Sequence, residues 1–365
     1  MCEVGCTRGD PKSQVGLKSC HEVHMIRRGF AALFCLFLLS GAGLPPAPAR
    51  LPQPGEGPPA WGRYAGPIAD TDTRAWDSDL TRRRTWRKSW MFLGAYTERY
   101  TVGFAIVDAG YAATAFAYAH DRQTGRLVEA HTVVPLGFAD DFQPGLRKTW
   151  SVSALEGTWT LVPAGEGWRA TFQGPLFSLR MDAGAASQGM SVLAPAQERP
   201  FHHTFKAASL PTQVTFQEPT GGWQASAVGV LDFSKGYPPR NTFWNWASLV
   251  GRTEDGRSFG LNLTADFNNA LENALWVNGR LVPLATALFR YQPTAVLNEW
   301  RLSTADGVLD LRFFPEGLRE EQIVLGAFES RFQQPFGRFE GTLRLNGQTV
   351  RVTGSGVTEQ HWATW

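Results

Sequence analysis

Beyond residue 35 the 365-residue chain has no cysteine; its four, Cys2, Cys6, Cys20 and Cys35, all lie in the first tenth. If that part is removed no disulfide can form, and the fold rests on packing alone. Charge of one sign is lacking as well: past residue 49 there are 30 basic and 30 acidic side chains. That balance speaks against nucleic acid or anionic lipid as the main partner. The local exception, Arg82, Arg83, Arg84, Arg87 and Lys88 interleaved with Trp86 and Trp90, reads as a solvated segment leading into the first strand. No apolar run reaches the roughly 20 residues of a spanning helix. No stretch past the first fifty residues holds a 3.6-residue apolar period, which excludes a helical bundle. Missing too are a Gly-x-Ser-x-Gly elbow, a P-loop and a His-Glu-x-x-His pair. His202 and His203 are strand neighbours that point to opposite faces, so they cannot share a metal; no metal and no cofactor is expected.

What is present is an apolar, turn-rich chain. Apolar residues make up 43% and charged residues 19%, enough apolar surface to offset chain entropy and exclude a disordered chain. The length suits two domains or one large β assembly. Residues 1–24 read as an artefact of start-site choice, because Met25 heads an export signal better than Met1 does. Residues 25–49 have the form of that signal: Arg27 and Arg28, the apolar run Phe30 to Leu39, then Ala47-Pro48-Ala49. The expected location is the periplasm or cell envelope, or the inner membrane if the segment stays uncleaved. Residues 50–84, opening with Pro52, Pro54, Pro58 and Pro59, read as a leader or linker.

From Trp90 onward short apolar runs alternate with turn residues. Ser89 to Tyr96, Thr101 to Val107, Tyr111 to His120 and Leu127 to Val134 predict four successive strands. Asn278-Gly279 and Asn346-Gly347 predict two-residue hairpins, because both central positions of that turn need positive φ. In Gly260 to Phe267, Leu261, Leu263, Ala265 and Phe267 fall on one face, with Asn262, Thr264 and Asp266 on the other. The expected architecture is all-β and antiparallel: two barrels or sandwiches packed together, 85–205 and 206–365, divided where Pro195, Pro200, Pro211 and Pro219 interrupt the pattern.

The sequence holds 14 Trp. Trp244 and Trp246 share one strand face, with Phe243, Asn245 and Ala247 on the other; they either line a flat apolar ligand or fill a core. The run Lys235 to Ser248 (KGYPPRNTFWNWAS) resembles the signature of domain-of-unknown-function family 2804. Gly260-Leu261-Asn262-Leu263, Glu272-Asn273-Ala274, Trp276-Val277-Asn278-Gly279 and the tail Gly356 to His361 continue it. That family is distantly similar to the lipocalin-like proteins that include carotenoid 1,2-hydratase and the AttH-like proteins. The resemblance implies two calycin-type β-barrels enclosing an apolar pocket, without implying an activity.

Two polar sets stand out as candidate chemistry. Glu359 and His361, two apart, face one side of an extended strand, where a carboxylate could orient an imidazole; Asp266 is the other candidate acid. The candidate ligand contacts are Arg240, Trp244, Asn245, Trp246, Asn262 and Asn273. All but Asn245 and Asp266 are expected to converge on one site in the second half, with Arg240 keeping Glu359 ionised. Three functions follow: a carrier of a small apolar molecule such as a lipid, isoprenoid or polyketide-like compound; a lyase or isomerase acting by acid catalysis on an isoprenoid-like double bond; or a structural envelope protein. A carboxyl group opening into the aromatic pocket would separate the second from the first.

Overall fold

The computed structural model describes residues 43–57, 59–138, 142–326 and 328–365. The chain divides into Met1–Gly41 and a unit Ala42–Trp365 that holds every element below. The start-site expectation and most of the export-signal expectation fall outside the described residues.

The first sheet comprises β1 (Gly62–Ala65), β2 (Lys88–Tyr96), β3 (Tyr100–Asp108), β4 (Ala112–Asp121), β5 (Arg126–Pro135), β6 (Trp150–Ala154), β7 (Gly157–Ala164), β8 (Gly167–Gln173), β9 (Ser178–Ala183), β10 (Met190–Ala196), β11 (Arg199–Glu218) and β12 (Gly221–Gly236). A short helix, α1 (Leu80–Thr85), precedes β2. The second sheet follows with β13 (Asn241–Thr253), β14 (Ser258–Ala265), β15 (Ala274–Val277), β16 (Arg280–Pro283), β17 (Ala287–Arg290), β18 (Trp300–Thr304), β19 (Leu309–Leu325), β20 (Phe328–Leu345) and β21 (Gln348–Thr364). The all-β expectation therefore holds, and the four strands predicted from Ser89 to Val134 are β2 to β5. Asn278-Gly279 and Asn346-Gly347 turn β15 into β16 and β20 into β21, with φ of 47° and 78°, and 52° and 79°. Those left-handed values are what Asn and Gly tolerate.

The main path of the first sheet runs β5-β4-β3-β2-β12-β11-β9-β8-β7-β6, with β10 on β11 and β1 on β10. It curls until β6 lies against β3, β4 and β5. The second runs β16-β15-β14-β13-β21-β20-β19-β18-β17 and brings β17 back to β14. Each curl closes over its own core: Met91, Leu93, Phe104, Trp150, Trp159 and Phe233 in the first, Leu249, Leu261, Trp300, Phe313 and Phe339 in the second. A third apolar layer, including Phe92, Phe116, Trp244, Trp246, Trp276 and Phe336, lies between the sheets. Strands such as β2 are thus buried on both faces, which is why KSWMFLGAY reads as a run and not as an alternation. Burying one such Phe is worth about 1.5–3 kcal/mol.

The chain passes between sheets at 237–240, whereas the proline-interrupted segment around 195–220 is largely one strand, β11, running through 205 and 206. The basic stretch before β2 is not a uniformly solvated surface. Arg87 is buried between Asp77 (2.9 Å) and Asp108 (3.0 Å), and Lys88 donates to the Thr85 and Ala109 carbonyls at 2.8 Å each. Residues before it are tied down as well: Leu51 N donates to Asp70 O at 3.0 Å, and Lys235 Nζ donates to Thr71 O and Pro144 O.

His202 and His203 do face opposite ways. His202 packs on Trp90 and Phe267, and His203 on Phe233 with Nδ1 3.1 Å from Val192 O. Burial first, and for His202 the nearby Lys206 charge second, depresses their pKa values to about 3 and about 4. Both are therefore neutral in the fold, while the unfolded chain protonates them near 6.5. Their contribution is complete above pH 6.5 and is lost as pH falls toward 4 and 3, about 2 kcal/mol per histidine by pH 5. Urea midpoints of His202→Phe should fall less steeply than wild type between pH 7 and 5; an unchanged slope would refute a neutral, buried His202.

Candidate active site in the cleft between the sheets

Alternation on β13 turns Trp244 and Trp246 toward the first sheet. Its antiparallel partner β21 sets His361 opposite Trp244 and Glu359 opposite Trp246. On β20, Phe332 pairs with His361; on β19, Arg319 pairs with Gln334 and Glu321 with Phe332. These side chains form one wall of a cleft of about 120 Å³. Trp90, Phe92, Phe116, Lys206 and Asp232 from the first sheet form the facing wall. This cleft is not inside either curled sheet. Trp150, Trp159 and Trp300, which pack within the curls, are each 0% exposed, and the cleft lies between the outer faces of the two sheets. A cavity near 150 Å³ takes benzene, so this one suits about one ring, with any longer chain projecting from its mouth.

Glu359 opens into this aromatic lining. Trp244 Nε1 donates to its Oε1 at 2.7 Å and Gln334 Nε2 to its Oε2 at 3.1 Å. His361 Nδ1 lies 3.7 Å from the same Oε1, and His361 Nε2 is 2.8 Å from Ser330 Oγ. With Ser330 donating, the ring proton stands on Nδ1 and points at Glu359. Trp244 holds the imidazole edge-on at 4.2 Å between centroids, and Phe332 packs on it at 5.3 Å. The three groups stand in order from carboxylate to imidazole to hydroxyl: the imidazole is hydrogen-bonded to the hydroxyl and stands 3.7 Å from the carboxylate, one small movement from a direct contact.

A second polar group closes another part of the cleft. Lys206 Nζ lies 2.7 Å from Asp232 Oδ1 and 2.8 Å from Glu272 Oε2, and Thr264 and Asn268 donate to Glu272. Burial opposes the ammonium charge, but the two carboxylates outweigh it and hold Lys206 above its ordinary pKa. Two carboxylates facing one cation are one too many. Burial, with Glu272 and Glu359 nearby, pushes Asp232 up to about 6 against the pull of Lys206.

The remaining sequence candidates are placed differently. Asn262 Oδ1 accepts from Trp246 Nε1 at 2.9 Å, and Asn273 Oδ1 accepts from Thr264 N at 2.7 Å; both brace the wall from behind and do not line the cleft. Asn245 projects from the opposite face of β13 and donates to Tyr291 Oη. Arg240 donates to Trp365 O at 2.9 Å, and the partners of the Glu359 carboxylate are Trp244 and Gln334 instead. Asp266 does not join Asn262 and Thr264: β14 ends at Ala265, and a φ of 63° turns Asp266 into an exposed hollow beside Asn241 and Asn268. Sequence reasoning missed Ser330, Gln334, Arg319, Lys206, Asp232, Glu272 and the whole facing wall. A signal existed for two of them: Lys206 and Asp232 are single charges inside apolar strand runs, each the other's register partner.

No curated protein matches the chain. Among solved structures it is similar to a candidate AttH from Nitrosomonas europaea, at 12% identity and a TM-score of 0.42 over 75% of this chain and 92% of that one. It is also similar to kievitone hydratase from Nectria haematococca, at 14% identity and a TM-score of 0.42 over 76% and 89%. The pattern of the domain of unknown function DUF2804 matches residues 59–365, and the chain belongs to that family.

Proposed function

We propose that this protein is a lyase or isomerase that moves a proton to or from a carbon of a small, apolar, unsaturated molecule, with Glu359 as the acid–base group. The observation that carries the reading is a buried carboxylate opening into an aromatic cleft with an imidazole and a hydroxyl lined up behind it. A proton given by Glu359 to one carbon of a double bond turns the π pair into a C–H bond. The neighbouring carbon, left positive, faces the Trp244 and Trp246 rings. Loss of a proton from the next carbon back to Glu359 re-forms the double bond one position along. Attack by water, with its proton returning to Glu359, gives hydration instead. A carrier needs the aromatic lining but not this carboxylate.

The test is ligand recovery in heavy water. Native mass spectrometry of the purified protein identifies any bound apolar molecule, which is then incubated with the protein in D2O. Carbon-bound deuterium, or a water adduct, supports the enzyme; a molecule bound and released unlabelled and unchanged refutes it in favour of a carrier. Placement in the cell envelope rests on the pattern of residues 25–49. Ala65 N donates to Pro45 O and Ala47 N to Ala65 O, so the version of export these contacts favour is one in which residues 45–49 are retained.

A further inference from the structure

Arg319 is 1% exposed, yet it lies on the wall of the cleft. Its guanidinium stacks over Phe116 at 3.9 Å and Phe332 at 5.2 Å. Nη2 donates to Glu321 at 2.9 Å, and Glu129 stands 3.5 Å from Nε. Among the described residues Nη1 and Nε have no hydrogen-bond partner. A buried N–H without an acceptor is costly, and native structures rarely leave one so. In register, Arg319, Gln334, Glu359 and Trp246 form one row across β19, β20, β21 and β13. Arg319 and Glu359 thus stand two strand spacings apart, roughly 9.6 Å at about 4.8 Å each. That span fits one ring bearing a short substituent.

We infer that Arg319 holds a neutral carbonyl oxygen of the bound molecule, so that the substrate is a carbonyl compound of about one ring with a double bond at the β,γ position, not a plain hydrocarbon. The acceptor is neutral because the cleft already sets Asp232, Glu272, Glu321 and Glu359 against only Lys206 and Arg319; a further anion would meet net repulsion. The inference rests on the proton-transfer reading and specifies its substrate. When Glu359 takes a proton from the carbon beside the carbonyl, the C–H pair becomes a C=C bond and the carbonyl π pair moves onto oxygen. Nη1–H of Arg319 stabilises that oxyanion. Return of the proton at another carbon of the conjugated system restores the carbonyl and shifts the double bond.

Acetophenone, ethylbenzene and benzoate have nearly one size and differ in what they offer Arg319, so calorimetric titration of the full chain with each reads the anchor directly. Wild type should bind acetophenone about tenfold tighter than ethylbenzene, and Arg319→Met should lose that preference while keeping its affinity for ethylbenzene. Equal binding of the two, tighter binding of benzoate, or a preference that survives in Arg319→Met overturns the inference. If Arg319→Met does not fold, carbonyl-¹³C acetophenone on wild type decides: a downfield shift relative to hexane is expected, and its absence counts against the anchor. Exchange of the acetophenone methyl protons in D2O tests the other reading separately. Preference without exchange leaves the anchor standing and removes the proton transfer; exchange without preference does the reverse.

Discussion

Exchanging Lys206 for methionine should lower the stability of the fold by about 3–5 kcal/mol at pH 8, because it leaves two buried carboxylates without their cation. The side chains of Lys206, Asp232 and Glu272 are 3%, 10% and 2% exposed, so solvent cannot replace the lost partner. The sign with pH follows from Asp232. Its folded pKa of about 6 lies above the ordinary 3.8, so stability drawn from its protonated form is present at low pH and lost as pH rises through 6. Without Lys206 that carboxyl takes its proton more readily, and the gap between variant and wild type should narrow from pH 8 to pH 5.5. Loss of Lys206 also relieves part of the depression of His202 and His203, so the variant loses less stability in acid and the gap narrows in the same direction. Urea unfolding at the two values measures the gap, and the triple variant Lys206→Met, Asp232→Asn, Glu272→Gln should recover most of it. A single variant within about 1 kcal/mol of wild type at pH 8 would show that the cluster is not the buried charge balance described.

Strand identity was legible from local signals, and the location of the cleft was not. Ser89 to Val134 read correctly as four strands because short apolar runs end in turn residues, and Asn278-Gly279 and Asn346-Gly347 were placed because positive φ leaves few alternatives. The same logic failed at Asp266, where alternation was carried past the end of β14; nothing in LNLTAD announces that Ala265 is the last strand residue. It failed at Arg87 and Lys88 for the opposite reason, since a charge run carries no mark of the buried Asp77 and Asp108 that receive Arg87 or of the Thr85 and Ala109 carbonyls that receive Lys88. That Trp244 and Trp246 share a face, as do Glu359 and His361, was legible from two period-two patterns; the register that sets Trp244 opposite His361 and Trp246 opposite Glu359 was not. The facing wall could not: which outer face of the first sheet meets the second is decided by packing between residues more than a hundred positions apart.

A single-atom change in the Glu359 carboxyl separates catalysis from architecture. Glu359→Gln keeps an oxygen for Trp244 Nε1 to donate to; the Gln334 amide, whose oxygen accepts from Tyr118 Oη at 2.9 Å, can turn that oxygen toward the new NH2 with the Tyr118 hydroxyl then accepting from its NH2. The cleft should therefore keep its shape and its affinity for acetophenone within about threefold. What is lost is the group that gives and takes the proton, and deuterium incorporation from D2O should fall by about 10²–10⁴-fold. Glu359→Ala should lose the same activity and also about 1–3 kcal/mol of stability, because the Trp244 and Gln334 donors are left buried without an acceptor. Ser330→Ala interrupts the far end of the chain beyond His361 Nε2, so its exchange rate should fall between those of wild type and Glu359→Gln. If Glu359→Gln retained more than about a tenth of the wild-type rate, the proton would be moving through another group. The buried carboxyl next in line is then Asp232, whose elevated pKa of about 6 leaves a proton to donate near neutrality.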